Sequence, residues 1–98
     1  MQDLKGKTAF ITGGASGLGL AMAHAFGEAG MQVMLADIER APLDAALAEL
    51  EGRQIRAKGL LCDVADRKAV QAAADETVAE FGKVHVVCNN AGVGAGGA

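Results

Sequence analysis

Four short apolar segments alternate with three longer segments of helical periodicity along this 98-residue chain. The apolar segments, rich in β-branched and other hydrophobic residues, cover residues 8–12, 32–36, 55–62 and 84–88. Strands that are almost wholly apolar and separated by helices indicate a parallel sheet with both faces covered. Because crossover connections are right-handed, a doubly wound α/β fold with the strand order 3-2-1-4 is predicted.

The helical segments carry apolar residues at steps of three and four, and each is followed by a glycine. Asp66 is expected to cap the third helix, and Pro42 suits the first turn of the second. Arg56 and Lys58 interrupt the third apolar segment, which indicates a strand at the edge of the sheet. The predicted apolar stripe of the third helix consists of Val70, Ala73, Ala74, Val78 and Phe81.

Composition excludes several classes of function. The net charge of −3 offers no basic surface for nucleic acid or an anionic membrane, and no apolar run is long enough to cross a bilayer. We therefore expect a cytoplasmic protein with neither nucleic-acid nor membrane partners. Cys62 and Cys88 would end the third and fourth strands, about 14 Å apart in the predicted order, which is too far for a disulfide. No Cys/His set has the spacing of a metal site.

A glycine-rich loop at residues 12–19 lies between the first strand and the first helix. The amino end of a helix attracts phosphate, and glycines let a pyrophosphate approach the backbone closely, as in Rossmann-type dinucleotide sites. A glycine-rich turn that binds nothing is the alternative. No Gly-Lys-Ser/Thr follows, which excludes a nucleoside-triphosphatase phosphate loop. The loop residues predicted to bind the cofactor are Gly13, Ser16, Gly17, Leu18 and Gly19.

Asp37 follows the second strand, about 20 residues beyond the glycine loop. A carboxylate at this position can accept hydrogen bonds from both hydroxyls of an adenosine ribose, and it repels the 2′-phosphate of NADP. NAD is therefore predicted in preference to NADP, although Arg40 is near enough to favour a phosphate. A helix cap or a solvated turn carboxylate is the alternative role for Asp37.

Three motifs together resemble the short-chain dehydrogenase/reductase family in its classical form. They are the Thr-Gly-x-x-x-Gly-x-Gly loop, the Asp63-Val64 pair after the third strand, and Asn-Asn-Ala-Gly at residues 89–92. The resemblance implies that Asp63 and Val64 contact the adenine, with a plain turn as the alternative for Asp63. It also implies that Asn90, Ala91 and Gly92 line the cofactor near its ribose, and that Asn90 braces the sheet.

The family's catalytic groups have no counterpart in this chain. The resemblance implies hydride transfer between a nicotinamide and an alcohol or carbonyl substrate, carried out by a serine, a Tyr-x-x-x-Lys pair and an asparagine. The chain has no Tyr, and its only Ser is Ser16. Residues 1–98 are therefore expected to be the cofactor-binding N-terminal portion of a larger enzyme. This portion is expected to be inactive alone, and the whole enzyme is expected to form a homo-oligomer. A non-catalytic nucleotide-binding or sensing module is the alternative. One departure from the family is His85, where Asp is usual.

Overall fold

The computed structural model describes residues 4–90, which form a four-stranded parallel sheet with three helices packed against it. Strands and helices alternate along the chain, as the apolar periodicity predicts. The elements are β1 Thr8–Thr12, α1 Gly17–Glu28, β2 Gln32–Asp37, α2 Arg40–Gly52, β3 Ala57–Leu61, α3 Arg67–Phe81 and β4 Val86–Asn89.

The strand order is β3-β2-β1-β4, and each neighbouring pair is parallel. This confirms the predicted doubly wound fold and the edge position of β3. Neighbouring strands are in register at their amino ends, where Thr8 lies opposite Gln32. The carboxyl ends of the strands therefore meet along one edge of the sheet, where open α/β sheets bind their ligands.

The two faces of the sheet have separate apolar cores, because successive side chains of a strand point to opposite faces. Ile11 of β1 packs with residues of α1 and α2, including Leu50, on one face. Phe10 and Met34 pack on the other face against α3, through Ala73. Helix α1 is thereby held against the sheet with its amino end at the carboxyl edge of β1.

Two strands and one helical stripe differ from the sequence-based expectation. β3 is shorter than residues 55–62, and β4 begins at Val86 rather than at residue 84. On α3, Val78 is 45% exposed, whereas Thr77 is fully buried. The hydroxyl of Thr77 donates to the Ala73 carbonyl oxygen at 2.7 Å, which makes burial of this polar side chain tolerable.

A row of polar side chains joins the amino ends of all four strands. Arg56, just before β3, donates to the Gln32 side chain at 2.8 Å, and Gln32 donates to the Thr8 hydroxyl at 3.0 Å. The Thr8 N–H donates to Nδ1 of His85 at 3.1 Å, while the His85 N–H donates to the Thr8 carbonyl at 2.9 Å. His85 thus supplies an acceptor that a carbonyl of a longer β4 would otherwise provide.

Replacing His85 with alanine is expected to lower the free energy of unfolding by about 1 kcal/mol, because the Thr8 N–H loses its acceptor. His85→Asn keeps a side-chain acceptor and should lie within about 0.5 kcal/mol of the parent chain. Urea unfolding followed by circular dichroism measures both changes. Equal stability of the alanine and asparagine variants would show that the Nδ1 bond does not support the sheet.

Candidate functional site

The carboxyl edge of the sheet brings the expected site residues of β1, β2 and β3 to one place. The Gly13 N–H donates to the Ala36 carbonyl oxygen at 2.8 Å, which ties the start of the glycine loop to β2. The Cys62 N–H donates to the Asp37 carbonyl oxygen at 2.8 Å, which places Asp63 beside the end of β2. The glycine loop, Asp37 and Asp63 therefore lie side by side at the carboxyl edge of the sheet, where open α/β sheets hold their ligands in a crevice.

The glycine loop turns sharply and then packs tightly against α1. Gly13 has φ +65° and Gly17 has φ +56°, values that side chains other than glycine adopt with strain. A Cβ on Gly19 would lie 2.1 Å from the Gly13 carbonyl oxygen, so only a hydrogen atom fits between helix and loop. A Cβ on Gly17 would meet nothing within 4 Å, which leaves open space above the loop.

The amino end of α1 presents unpaired N–H groups to this open space. Ser16 is the N-cap residue in an extended conformation, and its side chain makes no capping hydrogen bond. No acidic residue occupies the first turn, so the positive end of the helix dipole meets no carboxylate from within α1. Leu18 is 59% exposed and borders the same space. An anionic ligand fits this end of the helix.

Both carboxylate oxygens of Asp37 accept backbone hydrogen bonds. Oδ2 accepts from the Ala15 N–H at 2.9 Å, and Oδ1 accepts from the Ile38 N–H at 2.8 Å. Each oxygen keeps a lone pair free for a further donor. Asp37 therefore joins the glycine loop to β2 as well as bordering the crevice. Sequence reasoning missed Ala15, because a main-chain N–H leaves no signal in the residue type.

The Asp63-Val64 pair forms a turn at the end of β3. Oδ1 of Asp63 accepts from the Ala65 N–H at 3.0 Å, and the side chain is otherwise exposed. Val64 is half-buried and packs against the Phe10 core. The helix cap is Asp66, as predicted, whose Oδ1 accepts from the Lys68 N–H at 3.0 Å. Asp63 is therefore a turn residue with carboxylate capacity left for a ligand.

The ends of β1 and β4 are joined by side-chain and main-chain bonds. The Thr12 hydroxyl donates to Oδ1 of Asn89 at 2.8 Å, and the Asn90 N–H donates to the Thr12 carbonyl at 3.2 Å. Nδ2 of Asn90 is buried and has no hydrogen-bond partner among residues 4–90. Asn90 thus braces the sheet through its main chain. Ala91 and Gly92 lie outside the described residues.

The two cysteines are free thiols in the described structure. Burial raises the pKa of Cys62, and the negative charges of Asp63 and Asp66 raise it further. Burial also raises the pKa of Cys88, so both side chains remain protonated at neutral pH. No group of three potential ligands occurs among residues 4–90 to hold a metal ion. Within the same range, every helix is too short or too polar to cross a membrane.

Comparison with known proteins identifies one family. The model of the short chain dehydrogenase family matches residues 7–98. Similar proteins include C alpha-dehydrogenase from Sphingobium sp., which is 45% identical over 99% of this chain and 32% of its own length. D-threitol dehydrogenase from Mycolicibacterium smegmatis is 43% identical over 92% of this chain and 35% of its own length.

The fold has counterparts among solved structures. A short chain dehydrogenase/reductase from Burkholderia phymatum, solved in complex with NAD, superposes with a TM-score of 0.84 at 37% identity. The superposition covers 89% of this chain and 31% of that one. The chain thus spans about a third of the length of the relatives it matches.

Proposed function

The chain belongs to the short chain dehydrogenase family, and on that basis we propose that it binds NAD at the carboxyl edge of its sheet. The parent protein is then an NAD-dependent oxidoreductase, and residues 1–98 are the N-terminal portion of its cofactor-binding domain. One observation carries the proposal: the tight Gly19–Gly13 contact holds the open amino end of α1 beside the Asp37 carboxylate.

The diphosphate is assigned to the amino end of α1. Gly13 and Gly17 turn the chain away from this space, and the absence of a Cβ at Gly17 leaves the backbone accessible. The uncapped Ser16 hydroxyl is available to donate to a phosphate oxygen. Leu18, exposed at the same place, contributes a main-chain N–H of the first turn and an apolar side chain. These groups bind an anion without requiring a basic residue.

The adenosine is assigned to the crevice between the ends of β2 and β3. Asp37 accepts from the two ribose hydroxyls while its bonds to Ala15 and Ile38 hold it in place. Asp63 accepts from the adenine amino group, and Val64 packs against the ring. Asn90, Ala91 and Gly92 are proposed to line the cofactor near its ribose.

A second phosphate on the ribose would meet the negative charge of Asp37, which supports NAD over NADP. Arg40, the cation nearest in sequence, lies 3.7 Å from Asp44 in an exposed ion pair on α2. To bind Arg40, the 2′-phosphate would have to displace Asp44 from its ion pair and also approach the negative charge of Asp37. Charge at this position therefore favours the unphosphorylated ribose.

The bound cofactor would exchange a hydride with an alcohol or carbonyl carbon of a small-molecule substrate. Residues 1–98 are proposed to contribute cofactor binding to that reaction and none of the family's catalytic groups, since the chain has no Tyr and its single Ser lies in the glycine loop. We therefore expect this chain to bind the dinucleotide without turning over substrate. The parent enzyme is proposed to act as a homo-oligomer.

Titration calorimetry with ADP-ribose and with its 2′-phosphorylated form tests the proposal on this chain, because the assigned groups contact the adenosine diphosphate half. The unphosphorylated ligand is expected to bind at least about tenfold more tightly, because the 2′-phosphate removes one hydroxyl donor to Asp37 and brings a second negative charge next to that carboxylate. Equal binding of the two ligands would contradict the NAD assignment. Failure of both to bind would contradict the dinucleotide site itself.

A further inference from the structure

The outer edge of β3 is bordered by an open groove on each face of the sheet. One groove, of about 260 Å³, lies between β3 and α3, and the other, of about 390 Å³, lies between α2 and the start of β3. None of the residues assigned to the dinucleotide lines either groove. We propose that this edge pairs antiparallel with β3 of a second copy of the chain, about a two-fold axis at Gly59.

The free edge of β3 presents main-chain groups to a partner strand. On its inner side, the Val33 N–H donates to the Arg56 carbonyl oxygen at 2.9 Å, and the Cys62 N–H donates to β2. In a parallel ladder, alternate residues use both main-chain groups toward the same neighbour. Ala57, Gly59 and Leu61 therefore point their N–H and C=O groups outward, where another strand can bond to them.

The charged side chains near the free edge of β3 support a second copy of the chain as its partner. Pairing centred on Gly59 sets Lys58 of one copy opposite Leu60 of the other, and Leu60 lines the smaller groove together with Glu76. Glu76 has no ion-pair partner within residues 4–90, while Lys58 lies 3.6 Å from Glu80, one turn further along α3. Each copy thus offers a lysine where the other offers an unpaired carboxylate.

The shape of the smaller groove suits the stem of a lysine. Its wall on α3 consists of Ala69, Ala72 and Ala73, whose small side chains leave room beside Leu60. An aliphatic stem packs on such a surface while its ammonium group reaches a carboxylate at the rim. A lysine in an edge strand ordinarily discourages pairing, because its charge would lose water. Glu76 of the second copy compensates for that loss.

The distribution of basic and apolar side chains along the edge of β3 is self-complementary. Basic residues occupy its first half, at Arg56 and Lys58, and leucines occupy its second half, where Leu61 is 47% exposed. Antiparallel pairing sets the basic half of each copy against the apolar half of the other. The carboxyl edges of the two sheets then point in opposite directions, so both dinucleotide crevices stay open. Association is therefore independent of the proposed cofactor site.

Sedimentation equilibrium of the 98-residue chain is expected to show a weak dimer, with a Kd on the order of 100 µM because the contact is small. Lys58→Glu and Glu76→Lys should each weaken it about tenfold through like-charge repulsion, and the double variant should restore it to within about threefold. Lys83→Glu, a matched charge reversal in front of β4, should leave the Kd unchanged.

Two further variants separate the possible contacts. Ala57→Pro removes an outward N–H without touching the bonds to β2, so it should abolish the dimer while circular dichroism shows a folded chain. Val87→Lys adds charge at the open edge of β4 and should have no effect on association. Monomers at all concentrations, a double variant as weak as the single ones, or dimer loss in Val87→Lys would each overturn the proposal. Association that survives Ala57→Pro would overturn it as well.

Discussion

Replacing Gly19 with alanine is expected to lower the free energy of unfolding by about 3 kcal/mol and to abolish dinucleotide binding. The new Cβ would lie 2.1 Å from the Gly13 carbonyl oxygen and 3.0 Å from Cα of Gly14. Both neighbours are main-chain atoms, so no flexible side chain can move aside. Helix α1 must shift away from the loop, which takes its amino end away from the diphosphate. Urea unfolding and ADP-ribose titration measure the two effects.

Gly52→Ala is the matched control for this substitution. Gly52 is the last residue of α2, and a Cβ there meets nothing within 4 Å. Alanine at that position should leave stability unchanged or raise it by up to about 1 kcal/mol, as expected from helix propensity. If Gly19→Ala were as stable and bound ADP-ribose as well as Gly52→Ala, the close contact would have no part in forming the site.

Replacing Asp37 with alanine is expected to weaken ADP-ribose binding about 10- to 100-fold, which corresponds to roughly 1–3 kcal/mol for lost charge-assisted hydrogen bonds. The substitution removes the proposed ribose acceptor. It also removes the acceptor of the Ala15 N–H, which ties the glycine loop to β2 at 2.9 Å. Calorimetry gives the change in affinity, and thermal unfolding shows how much of that change arises from a loosened loop.

Asp37→Asn separates the two contributions, because the amide keeps one acceptor oxygen and loses the negative charge. Its affinity for ADP-ribose should lie between those of the parent chain and Asp37→Ala, and its discrimination against the 2′-phosphorylated ligand should fall. Asp44→Ala removes an exposed carboxylate of α2 that pairs with Arg40, and it serves as the control. If Asp44→Ala weakened binding as much as Asp37→Ala, general surface charge would explain the effect.

Much of the architecture was predictable because its signals are local. The apolar runs and helical spacings gave the element order, and the alternation of strands with helices led to the confirmed order β3-β2-β1-β4. The limits of β4 were not predictable. Val84 and His85 have the composition of a strand, but the imidazole of His85 takes the Thr8 N–H, and regular pairing begins at Val86.

The residues of the candidate site were predictable from the sequence, but the hydrogen bonds among them were not. The glycine spacing pointed to Gly13, Gly17 and Gly19, and the structure gives each a positive φ or a contact that excludes a side chain. The bond from Ala15 to Asp37 was missed because any residue can donate a main-chain N–H. Titration with ADP-ribose and with its 2′-phosphorylated form tests the proposal that these residues bind a dinucleotide.

The sequence by itself determined which segments become strands and helices, and therefore that a glycine loop and Asp37 lie at the same edge of a parallel sheet. Only the tertiary structure decided which polar groups meet across that sheet. The Thr8–His85 and Thr12–Asn89 bonds each join residues 77 positions apart. The physical reason is that periodicity reflects interactions between near neighbours in the chain, whereas a hydrogen bond between strands depends on register and side-chain conformation, which packing sets.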